Sequence, residues 1–302
     1  MNHVIVNGYN LAFRSHYAFM ELKTTTGFLS GCFYGTMVGM RAIKKRFPDC
    51  HITVAWDREA VRKKALYAKY KADRSEIIFF SQIKDLKKVF YRLNISQSEH
   101  EGEEADDVIA SLVKRYKTED NQIYIYSNDK DMLQLVKDGH VIVVKPKWGK
   151  HPEKVFDEEA VIEKFGVAPN KFADFQCFRG DGIDNIPGVP SVRSTVIARL
   201  INKYETPQNV YANLEGEELT DYERKAFGLC ESQVILNLKL VKLREDLDLK
   251  VIDGKGDPDL VQTFLDKYQI KSLNSNTFVG LFRDVTMNFK KAPAVESYSL
   301  FD

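Results

Sequence analysis

Short, nearly continuous apolar runs that alternate with helical patterns constrain the fold of this chain more than any other feature of its sequence. The runs lie at 3–6, 52–56, 123–126 and 141–144. Amphipathic helical patterns occupy Gly31 to Phe47 and Ser81 to Leu93. Strands that are buried on both faces have such apolar runs, because helices cover a parallel sheet from both sides. The sequence therefore predicts an α/β protein with a mainly parallel, twisted sheet covered by helices on both faces.

Polar side chains follow the predicted strands at the points where these strands end. They are Asn7, Asp57, Glu104 with Asp106 and Asp107, and Asp129 with Asp131. The carboxyl ends of parallel strands meet at one edge of the sheet, where such proteins bind their ligands. Carboxylates crowded together are unfavourable unless a cation lies between them. Oxygen ligands favour magnesium or manganese, so we expect a phosphate-chemistry site with ions about 4 Å apart.

For any one of these acids alone, a structural role is the simpler explanation. The stretch Gly102 to Asp107 has the composition of a helix N-terminus, where acids interact favourably with free N–H groups and with the macrodipole. A single polar residue after a strand is commonly a turn former. Because successive strand ends all carry such residues, we favour a shared functional site.

The segment from Asp57 to Arg74 is strongly basic and leaves directly from the predicted acidic edge. It contains Arg58, Arg62, Lys63, Lys64, Lys69, Lys71 and Arg74, with Tyr67 and Tyr70 between them. A solvated, charged helix has the same composition, and the net charge of the whole chain, +1, favours neither interpretation. Cations and stacking aromatic rings beside a metal site suit a strand of phosphates, so we expect nucleic acid here.

A glycine-rich loop at 179–190 is a second candidate for phosphate contacts. Helical patterns precede it at 156–165 and 169–178, and another follows at 191–203. The loop carries Asp181 and Asp184 at i and i+3. Free N–H groups at the start of the following helix would bind duplex phosphates, although a plain surface loop has a similar composition.

Three motifs, in this order, resemble those of the 5′ nucleases. This flap endonuclease-like family includes the 5′-3′ exonuclease domain of bacterial DNA polymerase I and stand-alone phage 5′ exonucleases. The motifs are Gly102 to Ile109, Asp129 to Leu135, and Gly180 to Pro190. The resemblance runs from about residue 3 to about residue 250. It implies a PIN-like nuclease core at 1–165 with a helical arch at 58–80, and a helical C-terminal region at 166–289 with a helix-turn-helix-type DNA-binding loop at 180–203.

The resemblance also implies roles for individual residues. The first metal cluster would contain Asn7, Asp57, Glu104 and Asp106, with Asp107 alongside, and the second Asp129, Asp131, Asp181 and Asp184. Lys71 and Arg74 match basic residues near the scissile phosphate, and Tyr70 matches the aromatic residue before them. Arg14 matches a basic residue that faces DNA. The remaining DNA-binding candidates are Arg58, Arg62, Lys63, Lys64 and Lys69 in the arch, and Gly188, Val189, Ser191 and Arg193 in the loop. A potassium ion is expected at the loop 186–192.

Two departures from the family pattern concern these sites. The first strand of family members ends in Asp-Gly, whereas this one ends in Asn7-Gly8. An amide oxygen can still coordinate a cation, but the lost negative charge predicts weaker binding of the first metal. The change is compatible with an engineered reduction of activity, with a naturally weakened enzyme and with a variant that tolerates it. After Pro190, Ser191-Val192-Arg193 stands where the family usually has Gly-Val-Gly. The missing glycines remove positions at which backbone can approach phosphate closely, and Arg193 would compensate in part through its charge.

The tail at 290–302 is expected to be flexible. It contains the apolar pair Leu300-Phe301 near its end, and two large apolar residues are unusual at a flexible terminus. It resembles the peptide through which bacterial replication proteins bind a sliding clamp, although Ser297 replaces the usual leading glutamine.

Cysteine usage and the first residues indicate the compartment. Four scattered cysteines without a Cys-x-x-Cys pair, and a start that already has a strand pattern, predict a reducing, cytoplasmic protein without structural zinc. No apolar run approaches the ~20 residues of a membrane-spanning helix, so we expect no membrane partner. We also expect a monomer, and the absence of a polymerase domain favours a phage or other stand-alone enzyme.

Together with these patterns, the resemblance implies a metal-dependent 5′-3′ exonuclease or flap endonuclease with Mg²⁺ or Mn²⁺ as cofactor. It would hydrolyse phosphodiesters where a 5′ single strand or an RNA primer meets duplex DNA during replication. Lys71 and Arg74 would stabilise charge at the phosphorus that water attacks. Two alternatives stay open. One is a branched-DNA-binding protein whose chemistry is weakened by Asn7. The other is a phosphoryl-transfer enzyme for a small phosphate ester, which has no use for the basic segment.

Overall fold

One seven-stranded sheet organises the computed structural model, which describes residues 1–72, 79–147 and 150–283, with only the backbone of Arg283. The strand order is β6-β5-β4-β1-β2-β3-β7. The strands are β1 His3–Asn7, β2 His51–Ala55, β3 Ser96–Ser98, β4 Ile123–Tyr126, β5 Val141–Lys145, β6 Lys154–Phe156 and β7 Val251–Ile252. The strands from β5 to β3 pair in parallel, and β6 and β7 add antiparallel edges. The predicted mainly parallel sheet is confirmed.

Helices cover both faces of this sheet. They are α1 Gly8–Ala18, α2 Gly31–Arg46, α3 Val61–Leu66, α4 Phe80–Arg92, α5 Ala105–Tyr116, α6 Glu158–Phe165, α7 Phe172–Arg179, α8 Ser194–Tyr204, α9 Pro207–Ala212, α10 Asp221–Val241, α11 Pro258–Lys267 and α12 Ser275–Arg283. The sequence analysis missed α1, because Asn7-Gly8 reads as the end of a strand. Asn7 in fact caps the new helix, and its side-chain oxygen accepts from Asn10 N at 3.0 Å. No helix in the described ranges is long and apolar enough to cross a membrane.

Alternate side chains of the central strand enter two different cores. Ile5 joins the core that α5, α7, α8 and α10 complete. Val4 and Val6 join the opposite core, which contains side chains of α1, α2, α4, α11 and α12. The strand is therefore buried on both faces, which explains its continuous apolar run. Its carboxyl end is left free to present polar side chains.

Candidate active site

An open cavity of about 990 Å³ lies at the carboxyl end of the parallel strands. The candidate ligands that line it are Asn7, Asp57, Glu104, Asp106 and Asp129. Basic side chains of the segment 58–72, namely Arg58, Lys64 and Lys71, line the same cavity. The structure thus brings together polar residues that follow β1, β2 and β4 and those at the start of α5, as the order of strand ends predicts.

Asn7 does not direct an amide oxygen into the cavity. Its oxygen accepts from the Asn10 amide, so its Nδ2 faces the acidic side chains and donates to Asp106 Oδ1 at 3.2 Å. A backbone N–H can bond only to the oxygen, and this fixes which end of the amide points each way. In the structure Asn7 is therefore a helix cap and a hydrogen-bond donor, and its role as a metal ligand stays a prediction.

Glu104 contacts two lysines and a tyrosine. It accepts from the Tyr70 hydroxyl at 2.7 Å, lies 2.9 Å from Lys63 Nζ, and forms a short ion pair with Lys71. Burial would raise the pKa of Glu104, but Lys63 and Lys71 outweigh it and lower this pKa to about 2. Two ammonium groups therefore provide the positive charge that a buried carboxylate requires.

Asp106, Asp129 and Asp131 are acids that lie close enough to influence one another. Burial and the Asp129 carboxylate raise the pKa of Asp106 well above its ordinary value, and the same two causes raise the pKa of Asp131 to about 8. Asp57 Oδ1 nearby accepts from Ala105 N at 3.1 Å and so caps α5. Crowded carboxylate oxygens are the type of ligand that a hard divalent cation prefers. Among the described residues, however, no three acidic, histidine or cysteine side chains already converge as a ligand group.

Asp107 and Lys63 differ most from their predicted roles. Asp107 is fully buried, and its oxygens lie 3.2 Å from Arg62 Nη2, 3.4 Å from Lys63 Nζ and 2.8 Å from Arg244 N. It does not line the cavity, and its role as a metal ligand stays a prediction. Lys63 is 2% exposed, and its pKa, which burial alone would lower, is raised by Glu104 and Asp107. Lys63 is therefore paired with two carboxylates, and its contact with DNA stays a prediction.

All four residues of the predicted second cluster have partners, and Asp129 Oδ1 accepts from Asp131 N at 2.9 Å. Asp131 accepts from Gln176 Nε2 at 2.6 Å, and Asp181 pairs with Lys130 at 3.2 Å. Asp184 lies 3.6 Å from Lys71 Nζ and 3.4 Å from the Tyr70 hydroxyl, so these two side chains connect it to Glu104. Tyr70 is 2% exposed, which makes it a buried link between the two acids.

The basic segment packs against the glycine-rich loop. Lys71 N donates to Asp184 O at 3.2 Å, and Asn185 Nδ2 donates to Lys69 O at 3.2 Å. Lys71 adopts a positive φ of 52°, an uncommon conformation for a residue with a side chain. Arg58, Lys64 and Lys69 are exposed. Arg62 contacts the Glu103 carboxylate at 3.0 and 3.1 Å, and its contact with DNA stays a prediction.

Close backbone contacts shape the loop at 180–193. A Cβ on Gly188 would lie 2.2 Å from Arg179 O, and one on Gly180 would lie 2.3 Å from Gly188 N. Val189 is buried, whereas Ser191 and Arg193 are exposed. Ser191 has a φ of 58° and so adopts the left-handed conformation that favours glycine. Val189 and Gly188 therefore have packing roles, and exposed contacts to DNA remain available to Ser191 and Arg193.

Arg14 and α4 complete the surroundings of the site. Arg14 donates to Lys147 O and contacts Tyr126, and it does not line the cavity. Lys84 and Lys87 of α4 do line the cavity, with Phe80 beside them. The sequence analysis missed these lysines, because α4 was identified only by its buried apolar face. Arg74 lies outside the described residues, so its predicted role is not described by the structure.

Two family descriptions match this chain consecutively. Residues 2–166 match the N-terminal resolvase-like domain of 5′-3′ exonucleases, and residues 167–255 match their C-terminal SAM fold. The chain belongs to the 5′-3′ exonuclease family. The 5′-3′ exonuclease of Aquifex aeolicus (strain VF5) is 31% identical over 291 residues, covering 95% of this chain and 96% of the relative. DNA polymerase I of Caldicellulosiruptor bescii is 33% identical over 258 residues, but only 30% of that protein is covered.

Solved structures share the fold of this exonuclease at low sequence identity. The zinc-bound bacteriophage T5 5′-exonuclease gives a TM-score of 0.65 at 20% identity, with 94% of this chain and 98% of that one covered. The catalytic core of Rad2 in complex with a DNA substrate gives 0.58 at 12% identity, with 93% and 91% covered. Family membership supports a nuclease and does not support the interpretation of a binding protein without chemistry.

Proposed function

We propose that this exonuclease is a divalent-metal-dependent, structure-selective 5′ nuclease. Its substrate is DNA in which a 5′ single strand or RNA primer meets a duplex. The observation that carries the proposal is the open acidic cavity, bordered on one side by the basic segment 58–72 and the glycine-rich loop. A cavity bordered by exposed cations suits a phosphodiester chain better than a small phosphate ester.

The donor set supports a divalent cation. Asp106 and Asp129 crowd together at the cavity, and each is a hard oxygen donor of the kind that Mg²⁺ or Mn²⁺ prefers. Glu104 would have to exchange a lysine for the metal, because Lys63 and Lys71 hold it now. A bound divalent ion would neutralise phosphate charge and activate water. The bacteriophage T5 flap endonuclease has been crystallised with DNA and metal ions, which agrees with this proposal.

The protein's own residues would orient the phosphate. Lys71 is shared between Glu104 and Asp184, so a phosphate that enters the cavity competes with these carboxylates for its ammonium group. Lys64, Lys84 and Arg58 line the outer part of the cavity and would hold the strand that leads to it. Ser191 and Arg193 would contact the duplex. Arg74 is proposed as a second cation at the phosphate.

A cleavage assay on three matched substrates tests this function. We expect the chain to cleave a 5′-flap duplex in Mg²⁺ or Mn²⁺ much faster than it cleaves blunt duplex or free single strands, and to be inactive in EDTA. Binding of the flap without cleavage under all metal conditions would contradict the nuclease proposal. Failure to bind DNA even at low salt would contradict the DNA interface as well.

Three finer features are proposed with this function. The potassium ion would lie at the loop 186–192, although Pro187 O there already accepts from Asn237 Nδ2 at 2.7 Å. The clamp peptide with Leu300 and Phe301 lies outside the described residues. Loss of clamp binding after deletion of the last six residues would support it, and unchanged binding would contradict it. A monomer in the cytoplasm is proposed on the sequence alone.

A further inference from the structure

Glu103 is the neighbour of Glu104, but its carboxylate has a different environment. It is 5% exposed and does not line the cavity. Its oxygens accept from Arg62 Nε at 3.0 and 3.1 Å and from Arg244 Nη1 at 2.8 Å. Arg62 belongs to α3, and Arg244 lies in the segment that follows α10. One carboxylate therefore joins two elements that are far apart in sequence.

Asp107, in the first turn of α5, reinforces this link. It lies 3.2 Å from Arg62 Nη2, and its other oxygen accepts from the Arg244 backbone at 2.8 Å. Arg62 thus contacts both acids through its side chain, whereas Arg244 contacts Glu103 through its guanidinium and Asp107 through its backbone N–H. Lys63 adds a third positive charge 3.4 Å from Asp107. Charge-assisted hydrogen bonds of this kind are stronger than neutral ones, and several in one network hold their elements in fixed register.

Of the two elements joined by Glu103, α3 borders the cavity through Val61 and Lys64, and the other follows α10. α3 begins the basic segment, and backbone bonds from Arg58 N to Glu103 O and from Val61 N to Gly102 O fix its base. α10 holds the glycine-rich loop, because Asn237 Nδ2 donates to Cys177 O and Pro187 O at 2.8 and 2.7 Å. Helix α5, which starts between them, carries Asp106 into the cavity.

We propose that Glu103 is a positioning residue that sets the basic segment and the α10 region at the distance from each other that branched DNA requires. The inference rests on the proposed nuclease function. Glu103 itself does not touch the substrate. It acts by holding Arg62 and Arg244, so Arg62 serves the protein's own architecture rather than a DNA phosphate.

The variant Glu103→Gln tests this role, because it keeps the side-chain shape and removes the charge. We expect the KM for a 5′-flap substrate to rise about tenfold while kcat changes less than about threefold, since binding geometry is lost and the reacting groups remain. If Arg62 contacted DNA directly, removal of the neighbouring acid would free it and lower the KM. A lower or unchanged KM would therefore overturn the proposal.

A double-variant cycle separates positioning from direct contact. Arg62→Met alone and Arg62→Met with Glu103→Gln should raise the KM to a similar extent, because both remove the same link. Additive effects would overturn the proposal. Asp246→Asn is the matched control, since Asp246 is an exposed partner of the same Arg244, at 3.0 Å, and lies outside the Glu103 link. Its KM should stay within about twofold of that of the parent protein.

Limited trypsin digestion measures, in the absence of DNA, how firmly Glu103 holds α3. Glu103→Gln should be cut after Arg62, Lys63 and Lys64 about tenfold faster than the parent chain, because α3 is held less firmly. Equal rates would overturn the positioning role. If the parent chain neither binds nor cleaves DNA, the nuclease proposal fails by itself, and the digestion still decides whether Glu103 holds α3.

Discussion

At the scale of single residues, the side chain at position 7 affects both the stability of the cavity without metal and its affinity for metal. Asn7 caps α1 through its oxygen and donates to Asp106 through its nitrogen. The amide therefore stabilises a crowded acidic cavity in the absence of metal. An aspartate would add a charge beside Asp106, whose pKa is already raised by burial and by Asp129. Metal affinity and metal-free stability are thus opposed at this position.

We expect Asn7→Asp to increase metal-dependent cleavage and to decrease stability in EDTA. The loss in EDTA should be about 1–2 kcal/mol, because like charges then face each other across roughly 3 Å without a counter-ion. Melting curves with and without Mg²⁺, and cleavage rates at limiting and saturating Mg²⁺, measure both effects. Asn7→Ser is the control, since serine retains the cap without the charge. Equal rates for parent and Asn7→Asp at both Mg²⁺ concentrations would exclude this account.

His3, at the opposite end of β1, predicts a loss of stability in mild acid. Burial and the nearby His51 lower its pKa from 6.5 to about 4, and its ring stacks on Tyr116 at 4.4 Å. The unfolded chain takes up a proton as pH falls through about 6.5, whereas the folded chain resists until about 4. Stability should therefore decrease across this window, by at most about 2 kcal/mol for this partly solvated group.

Urea unfolding of the parent protein and of His3→Asn at pH 7.5 and pH 5 measures this contribution. The variant should lose less stability than the parent between the two pH values. Carboxylates and His51 also titrate on unfolding, so a residual slope is expected in both proteins. An identical loss in the two proteins would contradict the assignment to His3.

At the scale of elements, the docking of α11 and α12 is the least predictable part of the fold. These helices pack against α4 and α2, beside the β3 edge that β7 extends. Tyr268, directly after α11, stacks on Phe33 at 4.1 Å and donates to Asp85 Oδ2 at 2.8 Å. Lys267 pairs with the same carboxylate. Asp85, a buried acid of α4, thus bonds to both Lys267 and Tyr268.

We expect Asp85→Ala to loosen α11 and α12 selectively. The buried Tyr268 hydroxyl would lose its acceptor, at a cost of about 1–3 kcal/mol. Hydrogen exchange should accelerate in 258–283 and stay unchanged in the central strands. Asp266→Ala is the matched control, because Asp266 is an exposed acid of α11 and should leave the exchange pattern unaltered. Uniform acceleration across the sheet would show that the contact is not local.

At the scale of the whole molecule, the two halves matched by the family descriptions share a core. The buried cluster that contains Ile5, Ile125 and Val108 also contains Phe178 of α7 and Val234 of α10. The chain returns to the sheet at β7, and Ser98 Oγ donates to Lys250 O at 3.0 Å. The division at 165/166 predicted from the sequence therefore does not coincide with a gap in packing.

The fragment 1–166 should consequently fail to fold cooperatively by itself. Removal of α7 and α10 would expose the apolar side of α5 and of the central strands, and this lost burial is the main source of stability. Circular dichroism during thermal unfolding, with 1–283 as the control, tests this expectation. A sharp transition of 1–166 near the midpoint of 1–283 would establish the first half as an independent folding unit.

The sequence by itself determined the parallel strands β1, β2, β4 and β5, helices α2 and α4, and the meeting of polar residues at one edge of the sheet. These features follow from apolar periodicity, which is local, and from strand order, which directs all parallel carboxyl ends to the same edge. Only the tertiary structure decided the edge strands β6 and β7, which are too short to carry a pattern, and the docking of α11. It also decided that Arg62, Lys63 and Asp107 pair with one another or with Glu103 and Glu104, and their roles toward DNA and metal stay predictions. The physical reason is that residue type fixes the charge of a side chain, whereas its partner depends on which distant elements pack together.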